Sequence, residues 1–212
     1  MNTIKRERRT QAERSEETRS RLCQATLDAL YEVGYGKFST GDVAQRARVS
    51  RGALTHQFPS RNSLIIAAFN YLVGLWESEW PFDGSADDDS LKIDSMIDVL
   101  WTKLFQSGNY IASLEMMLAA RNDDELSTGI HEVMIRWSAH RDRVIAKLLG
   151  LPLDDPRTKY FIQLNLCVMR GIAVHHSFDP DPTADTHLLK EWKNLLLAFR
   201  KAESGVSDNI KV

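Results

Sequence analysis

Residues 39–58, Ser-Thr-Gly-Asp-Val-Ala-Gln-Arg-Ala-Arg-Val-Ser-Arg-Gly-Ala-Leu-Thr-His-Gln-Phe, constrain the fold more than any other stretch, because they spell two short helices around a tight turn. Ser39 can cap the first helix, and Asp42 three residues on completes a Ser-x-x-Asp arrangement close to a capping box. Val43, Ala44 and Ala47 then share one face. Arg48-Val49 makes the turn, Ser50 caps the second helix, and Leu54 with Phe58 repeats at i, i+4, so this face turns inward. Arg51, Thr55 and His56 stay outside. A short helix with a cation in its first turn and hydrogen-bonding side chains one turn later is what the major groove of DNA accepts.

The charge distribution agrees with that expectation. A formal net charge of -2 hides an asymmetry: residues 1–64 hold 12 Lys/Arg against 7 Asp/Glu, or +5, and residues 65–212 hold 15 against 22, or -7. A basic end suits a polyanion, which the acidic remainder repels. With 212 residues, 43% of them hydrophobic, the chain can fill one large core or two small ones. No run of about 18 apolar residues occurs and the basic N-terminus lacks an apolar h-region, so neither a membrane span nor a signal peptide is predicted, and a cytoplasmic protein is expected. The two cysteines, Cys23 and Cys167, lie far apart inside helical patterns, where buried thiols are expected rather than a disulfide framework or a metal knuckle.

Lys5-Arg-Glu-Arg-Arg9 with Arg14 makes residues 1–14 a basic flexible arm, reaching phosphates or the minor groove, or else only solubilising the chain. A helix starting at Ser15-Glu-Glu follows the 3.6 period through Leu22, Thr26, Ala29, Leu30 and Val33 to Gly34, with Phe38 plugging the corner. Beyond Pro59, Ser60 caps a linking helix through Leu64, Ala68, Leu72 and Leu75 to about Trp80. Phe82–Ser90 is a loop whose Asp87-Asp88-Asp89 run lacks the interposed glycine and distant glutamate of a calcium loop. Helices follow at about 91–106, 110–121, 125–149 and 157–177, and a last one after Phe178-Asp-Pro-Asp-Pro182. Nothing reads as a strand. The prediction is an all-α protein of about nine helices: a three-helix helix-turn-helix domain over 15–60, joined by a linking helix to a larger helical domain over 61–212.

The pattern Gly34-x-x-x-Phe38-Ser-Thr40, Val43-Ala44, Ala47, Val49-Ser50-x-Gly52-x-Leu54, Phe58, Arg61 and Leu64 resembles the N-terminal DNA-binding domain of the TetR family of repressors, over roughly residues 16–64. The resemblance implies that the larger domain binds a small-molecule effector and dimerises, and that the linking helix carries motion from ligand to DNA. It places Arg61 where the family has a phosphate-contacting lysine. Where members often carry aromatic-aromatic-His, this chain has Thr55-His56-Gln57. The candidate DNA contacts are Thr40, Ser50, Arg51, Gly52, Ala53, Thr55, His56, Gln57 and Arg61. A two-fold dimer implies a double-stranded operator that is an imperfect palindrome.

The family forms its dimer from the last two helices, so Leu164, Val168, Gly171, Leu188, Trp192, Leu196 and Phe199 are the candidate interface, with Gly171 and Ala173 permitting close approach. Trp76, Trp101, Met117, Met134, Trp137, Phe161 and Met169, with Glu115, His131 and Asn165 as polar groups, are candidates for an apolar ligand cavity, the alternative being ordinary core. No catalytic elbow, P-loop, dinucleotide fingerprint or zinc-protease motif occurs, and His131, His140, His175 and His176 match no zinc spacing, so neither catalysis, cofactor nor metal is expected. A ligand-released repressor is the primary expectation. The alternatives are a constitutive DNA binder, a small-molecule-modifying helical enzyme, and an architectural DNA protein, which the acidic second half disfavours.

Overall fold

The computed structural model describes residues 10–86 and 92–207, with side chains as far as residue 198. The basic run 5–9 and the acidic run 87–89 lie outside the described residues. Among those described the chain is helical, with no strand.

Thr10 opens α1 (Gln11–Lys37) with a reciprocal capping box: Glu13 N–H donates to Thr10 Oγ1 at 3.2 Å and Thr10 N–H to Glu13 Oε2 at 2.7 Å. The helix therefore starts ahead of Ser15, the expected first cap, because the Thr10-x-x-Glu13 pair satisfies two orphan amides at once. Arg14, assigned to the arm, sits in this first turn. Gly34, at φ 72°, breaks the helix in the left-handed region before Phe38 buries itself.

Next come α2 (Thr40–Arg46), α3 (Arg51–Gln57) and α4 (Arg61–Glu77). Ser60 and Ser63 cap α4 reciprocally, each backbone N–H reaching the other's hydroxyl, at 2.9 and 3.1 Å. α5 (Ile93–Leu100) runs into a π-helical segment, Trp101–Phe105, where one continuous helix over 91–106 was expected. The wider turn, closed by Gln106 N–H on Trp101 O at 2.9 Å, keeps Trp101, Leu104 and Phe105 all buried. α6 (Gly108–Ala120), α7 (Asp124–Leu148), α8 (Pro156–Phe178) and α9 (Pro182–Ser207) complete the chain. No described helix is long and apolar enough to cross a membrane.

Contacts divide the chain into two compact units. The first takes the chain to Leu75 together with Ala112–Ile135. Leu22, Leu27 and Leu30 of α1, Val43 of α2 and Leu54 of α3 are buried there, as are Leu64, Ile65, Phe69 and Leu72 of α4 and Met116 of α6. Most of α4 thus packs with the helix-turn-helix, since its apolar face is fully covered. Gly129 lets α7 approach α4 closely: a Cβ there would lie 2.4 Å from Ile66 Cδ1. The second unit takes Trp76–Ile111 and the chain from Arg136 onward, with α9 packed on α5 and α8. Its centre is aromatic, with ring centroids 5.6 Å apart for Trp76–Trp137, 5.0 Å for Phe82–Trp137 and 4.5 Å for Phe105–Tyr110.

Cys23 is buried, and burial pushes its thiol up to about 11, well away from reactivity. Cys167 is exposed on α8, against the expectation of two buried thiols, because the outward face of that helix is itself apolar.

Candidate nucleic-acid interface

Ser39 Oγ accepts from Asp42 N–H at 3.2 Å and donates to its carboxylate at 2.6 Å, and Ser50 Oγ accepts from Ala53 N–H at 3.1 Å. These caps start α2 and α3 where the sequence placed them. Between them the chain makes a Schellman turn, with Val49 N–H on Ala44 O at 3.0 Å and Arg48 N–H on Gln45 O at 3.1 Å. Arg48 occupies the left-handed position at φ 54°, where glycine is the usual residue. Leu54 and Phe58 face the core, and the Arg19 guanidinium covers the Phe58 ring at 4.6 Å.

Arg51, Gly52, Thr55 and His56 are exposed together on the opposite face of α3. With its side chains an α-helix is about 10–12 Å across, which matches a major groove about 12 Å wide. Gly41 leaves room for the Arg51 guanidinium, whose Nη2 would sit 3.3 Å from a Cβ at that position. Arg46 is paired with Glu32 at 2.7 Å, and this hydrogen bond holds the exposed Glu32 carboxyl below its usual range.

Several candidate contacts are used otherwise. Gln57 Nε2 donates to Ser15 Oγ at 2.8 Å, so Gln57 ties α3 to α1 and is not part of the outward face. Thr55 donates its hydroxyl to Arg51 O at 3.0 Å, the Ser50 hydroxyl is taken by its cap, and Thr40 and Ala53 are half-buried. The Arg61 guanidinium lies over Tyr35 at 4.3 Å and Phe38 at 5.1 Å, and its Nη2 donates to Tyr35 O at 2.9 Å. Arg61 is a brace for the α1–α2 connection, where the resemblance implied a phosphate contact. Glu115, a ligand candidate, braces the same connection from α6: its Oε2 accepts from Tyr35 N–H at 2.8 Å. Nothing in the local sequence around Tyr35 signals either brace.

The remaining ligand candidates are divided between the two units. His131 is exposed, Met117 and Met134 belong with Glu115 to the first unit, and Trp76, Trp101, Trp137 and Met169 are packed core of the second. Only Phe161 and Asn165 border the cavity found in the second unit, which encloses about 20 Å³ among Ile93, Met96, Ile97, Leu100, Ile145, Leu149 and Ile162. In the sequence these mostly aliphatic residues carry only the periodicity of ordinary core. Asn165 is engaged at both ends, giving Nδ2 to Phe161 O at 2.7 Å and receiving Trp192 Nε1 at 3.0 Å. Among the described residues no three His, Cys, Asp or Glu side chains are grouped to hold a metal. His176 instead pairs with the buried Asp185 at 2.5 Å, joining α8 to α9.

Of the interface candidates, Leu164, Gly171 and Leu188 face outward, and Val168 and Trp192 are half-buried. Leu196, only 4% exposed, points into its own core, while its neighbour Leu195 points outward at 62%. The last helix is rotated relative to the sequence expectation because Leu189, Trp192 and Leu196 follow the inward period. Ala173 is buried within its own unit, and the Phe199 side chain lies outside the described residues.

A capped helix-turn-helix presenting Arg51, Thr55 and His56, carried by an otherwise all-helical chain, defines a DNA-binding transcriptional regulator. Comparison with known proteins agrees. Residues 22–68 match the model of bacterial regulatory proteins of the tetR family. The HTH-type transcriptional regulator CymR of Pseudomonas putida is 33% identical over 178 residues, covering 82% of this chain and 86% of that protein. A transcriptional regulator from Rhodococcus sp. Rha1 shares the fold at a TM-score of 0.67 with 20% identity, over 85% of this chain and 96% of its own. A regulator from Saccharomonospora viridis, solved in complex with choline, does so at 0.65 with 13% identity, over 85% and 96%. The chain belongs to the TetR family.

Arg51→Ala is expected to relax base preference at one position per half-site, since a bidentate guanidinium–guanine contact is worth about 1–3 kcal/mol of discrimination. Selection from a randomised operator library checks it: identical profiles for wild type and variant would remove Arg51 from the reading role.

Proposed function

We propose that this regulator is a homodimeric repressor released from a palindromic operator by a small apolar or amphipathic effector. The observation that carries the release step is the Glu115 carboxylate, which holds the Tyr35 amide from α6. α6 is one continuous helix from Gly108 to Ala120, so a shift of its first turn reaches the segment leading into the helix-turn-helix. The choline complex of the Saccharomonospora viridis regulator, a chain of similar fold, supports the reading of a bound effector.

Release by a hundredfold requires an effector that favours the released form by about 2.7 kcal/mol, and linkage requires the operator to weaken the effector by the same factor. Titrations followed by the fluorescence of Trp76, Trp101 and Trp137, with and without operator, read that asymmetry directly. Glu115→Ala is expected to reduce the factor toward one, because Tyr35 N–H loses its acceptor, whereas Glu115→Gln keeps an acceptor and retains it. Unchanged coupling in Glu115→Ala would exclude this brace from the release step. The constitutive alternative is favoured by the tight aromatic packing of the second unit, whose cavity of about 20 Å³ holds about one water. Equal effector affinities in both titrations for every compound class would establish it.

A further inference from the structure

Gly41 stands in the first turn of α2 with an ordinary helical backbone, so its φ does not call for glycine. A glycine there weakens a helix of only seven residues. The space its side chain would take is already in use: a Cβ at position 41 would lie 3.3 Å from Arg51 Nη2 and 3.8 Å from Arg51 Cζ. Side chains on a helix lean toward its N-terminus and cover the turn that precedes their own Cα. Arg51 is the first residue of α3, so it has no earlier turn of its own helix to cover and lies over α2 instead. Gly41 is the bare position that receives it.

The guanidinium is otherwise unattached. Arg46 is paired with Glu32, Arg61 donates to Tyr35 O and Arg19 lies over the Phe58 ring, whereas the Arg51 guanidinium has no hydrogen-bond or ion-pair partner among the described residues. Its direction is set by where there is room. The first turn of a helix is the positive end of the dipole and attracts no cation, so this contact steers the group by shape and leaves its N–H donors free.

We propose that Gly41 is a positioning residue for base readout: the missing side chain fixes the side from which the Arg51 guanidinium approaches the operator, and so which base pair of a half-site it reads. The inference rests on the reading role of Arg51 stated above and names the residue that directs it. Bidentate recognition requires the planar fork to meet the edge of a base squarely. Pushing the fork aside therefore costs discrimination although the charge is kept.

The test selects duplexes from a randomised operator library with the full-length protein and its variants, beside thermal melting of each. Gly41→Gln fills the space with a neutral chain, and it is expected to lose about fivefold to a hundredfold of base preference at the position that Arg51→Ala affects, the range of one bidentate contact. Preferences elsewhere in the half-site should persist. Gly41→Ala, which asks the guanidinium to move by a few tenths of an ångström, should lose less at the same position. The double variant Gly41→Gln/Arg51→Ala should reproduce the profile of Arg51→Ala, because both changes act on one contact. Alanine and glutamine are better helix formers than glycine, so the melting temperature is expected to hold or to rise by up to about 4 °C. An unchanged profile for Gly41→Gln beside an altered one for Arg51→Ala overturns the proposal and leaves the reading role standing. A uniform loss across all sequences, a further change in the double variant, or a lowered melting temperature for Gly41→Ala also overturns it, since each gives Gly41 a part that does not pass through Arg51. If Arg51→Ala itself keeps the wild-type profile, the reading role falls and the proposal with it.

Discussion

Leu164→Glu and Leu195→Glu should each convert the protein to a monomer and weaken operator binding at least about a hundredfold, the low end of what linking two binding modules contributes. The outward face of α8 carries Tyr160 (74% exposed), Leu164 (56%), Val174 (41%) and Phe178 (71%), with Gly171 between them, at one-turn spacing. α9, packed beside it, adds Leu188 (47%) and Leu195 (62%). An exposed apolar stripe of this length marks an interaction surface, and in the homodimer proposed above a second copy covers it, so that paired recognition helices would meet half-sites about 34–36 Å apart. A glutamate there adds charge that a free surface tolerates and a seam does not. Leu196→Glu should behave differently. Its side chain is in the core, so the expected result is loss of the fold instead of clean dissociation. Sedimentation separates these outcomes: a dimeric Leu164→Glu and Leu195→Glu would move the interface elsewhere.

Arg61→Ala should lower stability by about 2–3 kcal/mol, combining a charge-assisted bond to a carbonyl with stacking on two rings. For a chain of this size each kcal/mol corresponds to about 2–4 °C in melting temperature. The guanidinium holds Tyr35 O at 2.9 Å and lies over Tyr35 and Phe38, so its loss loosens the corner that positions α2. Arg61→Lys should recover little, because an ammonium cannot stack on a ring while forking to the backbone. Thermal melting of both variants checks this. A phosphate contact alone would instead leave the melting temperature unmoved and reduce the salt slope of DNA binding by about one unit.

The helix-turn-helix was legible residue by residue. Ser39, Ser50, Leu54 and Phe58 do what their spacing implied, since caps and apolar faces act over three or four residues. Helix ends were less so: α1 starts at the Thr10-x-x-Glu13 capping box, ahead of Ser15 with its two following glutamates. The ligand candidates were the least legible part. Composition singles out tryptophans and methionines, but whether such residues line a cavity or pack on each other depends on helices distant in sequence, and here Trp76 and Trp137 pack on each other.

The sequence by itself determined the class of fold, the outward face of Arg51, Thr55 and His56 on the second helix of the motif, and the family, because each is written in short-range periodicity and charge. Tertiary structure alone decided how the polar groups are used. Gln57 finds Ser15 across 42 residues of chain, Arg61 finds Tyr35 O across 26, and Glu115 finds Tyr35 N–H across 80. A side chain that can reach DNA, a ligand or a backbone amide commits to the partner that folding places within hydrogen-bonding distance, and that distance is set by the packing of whole helices.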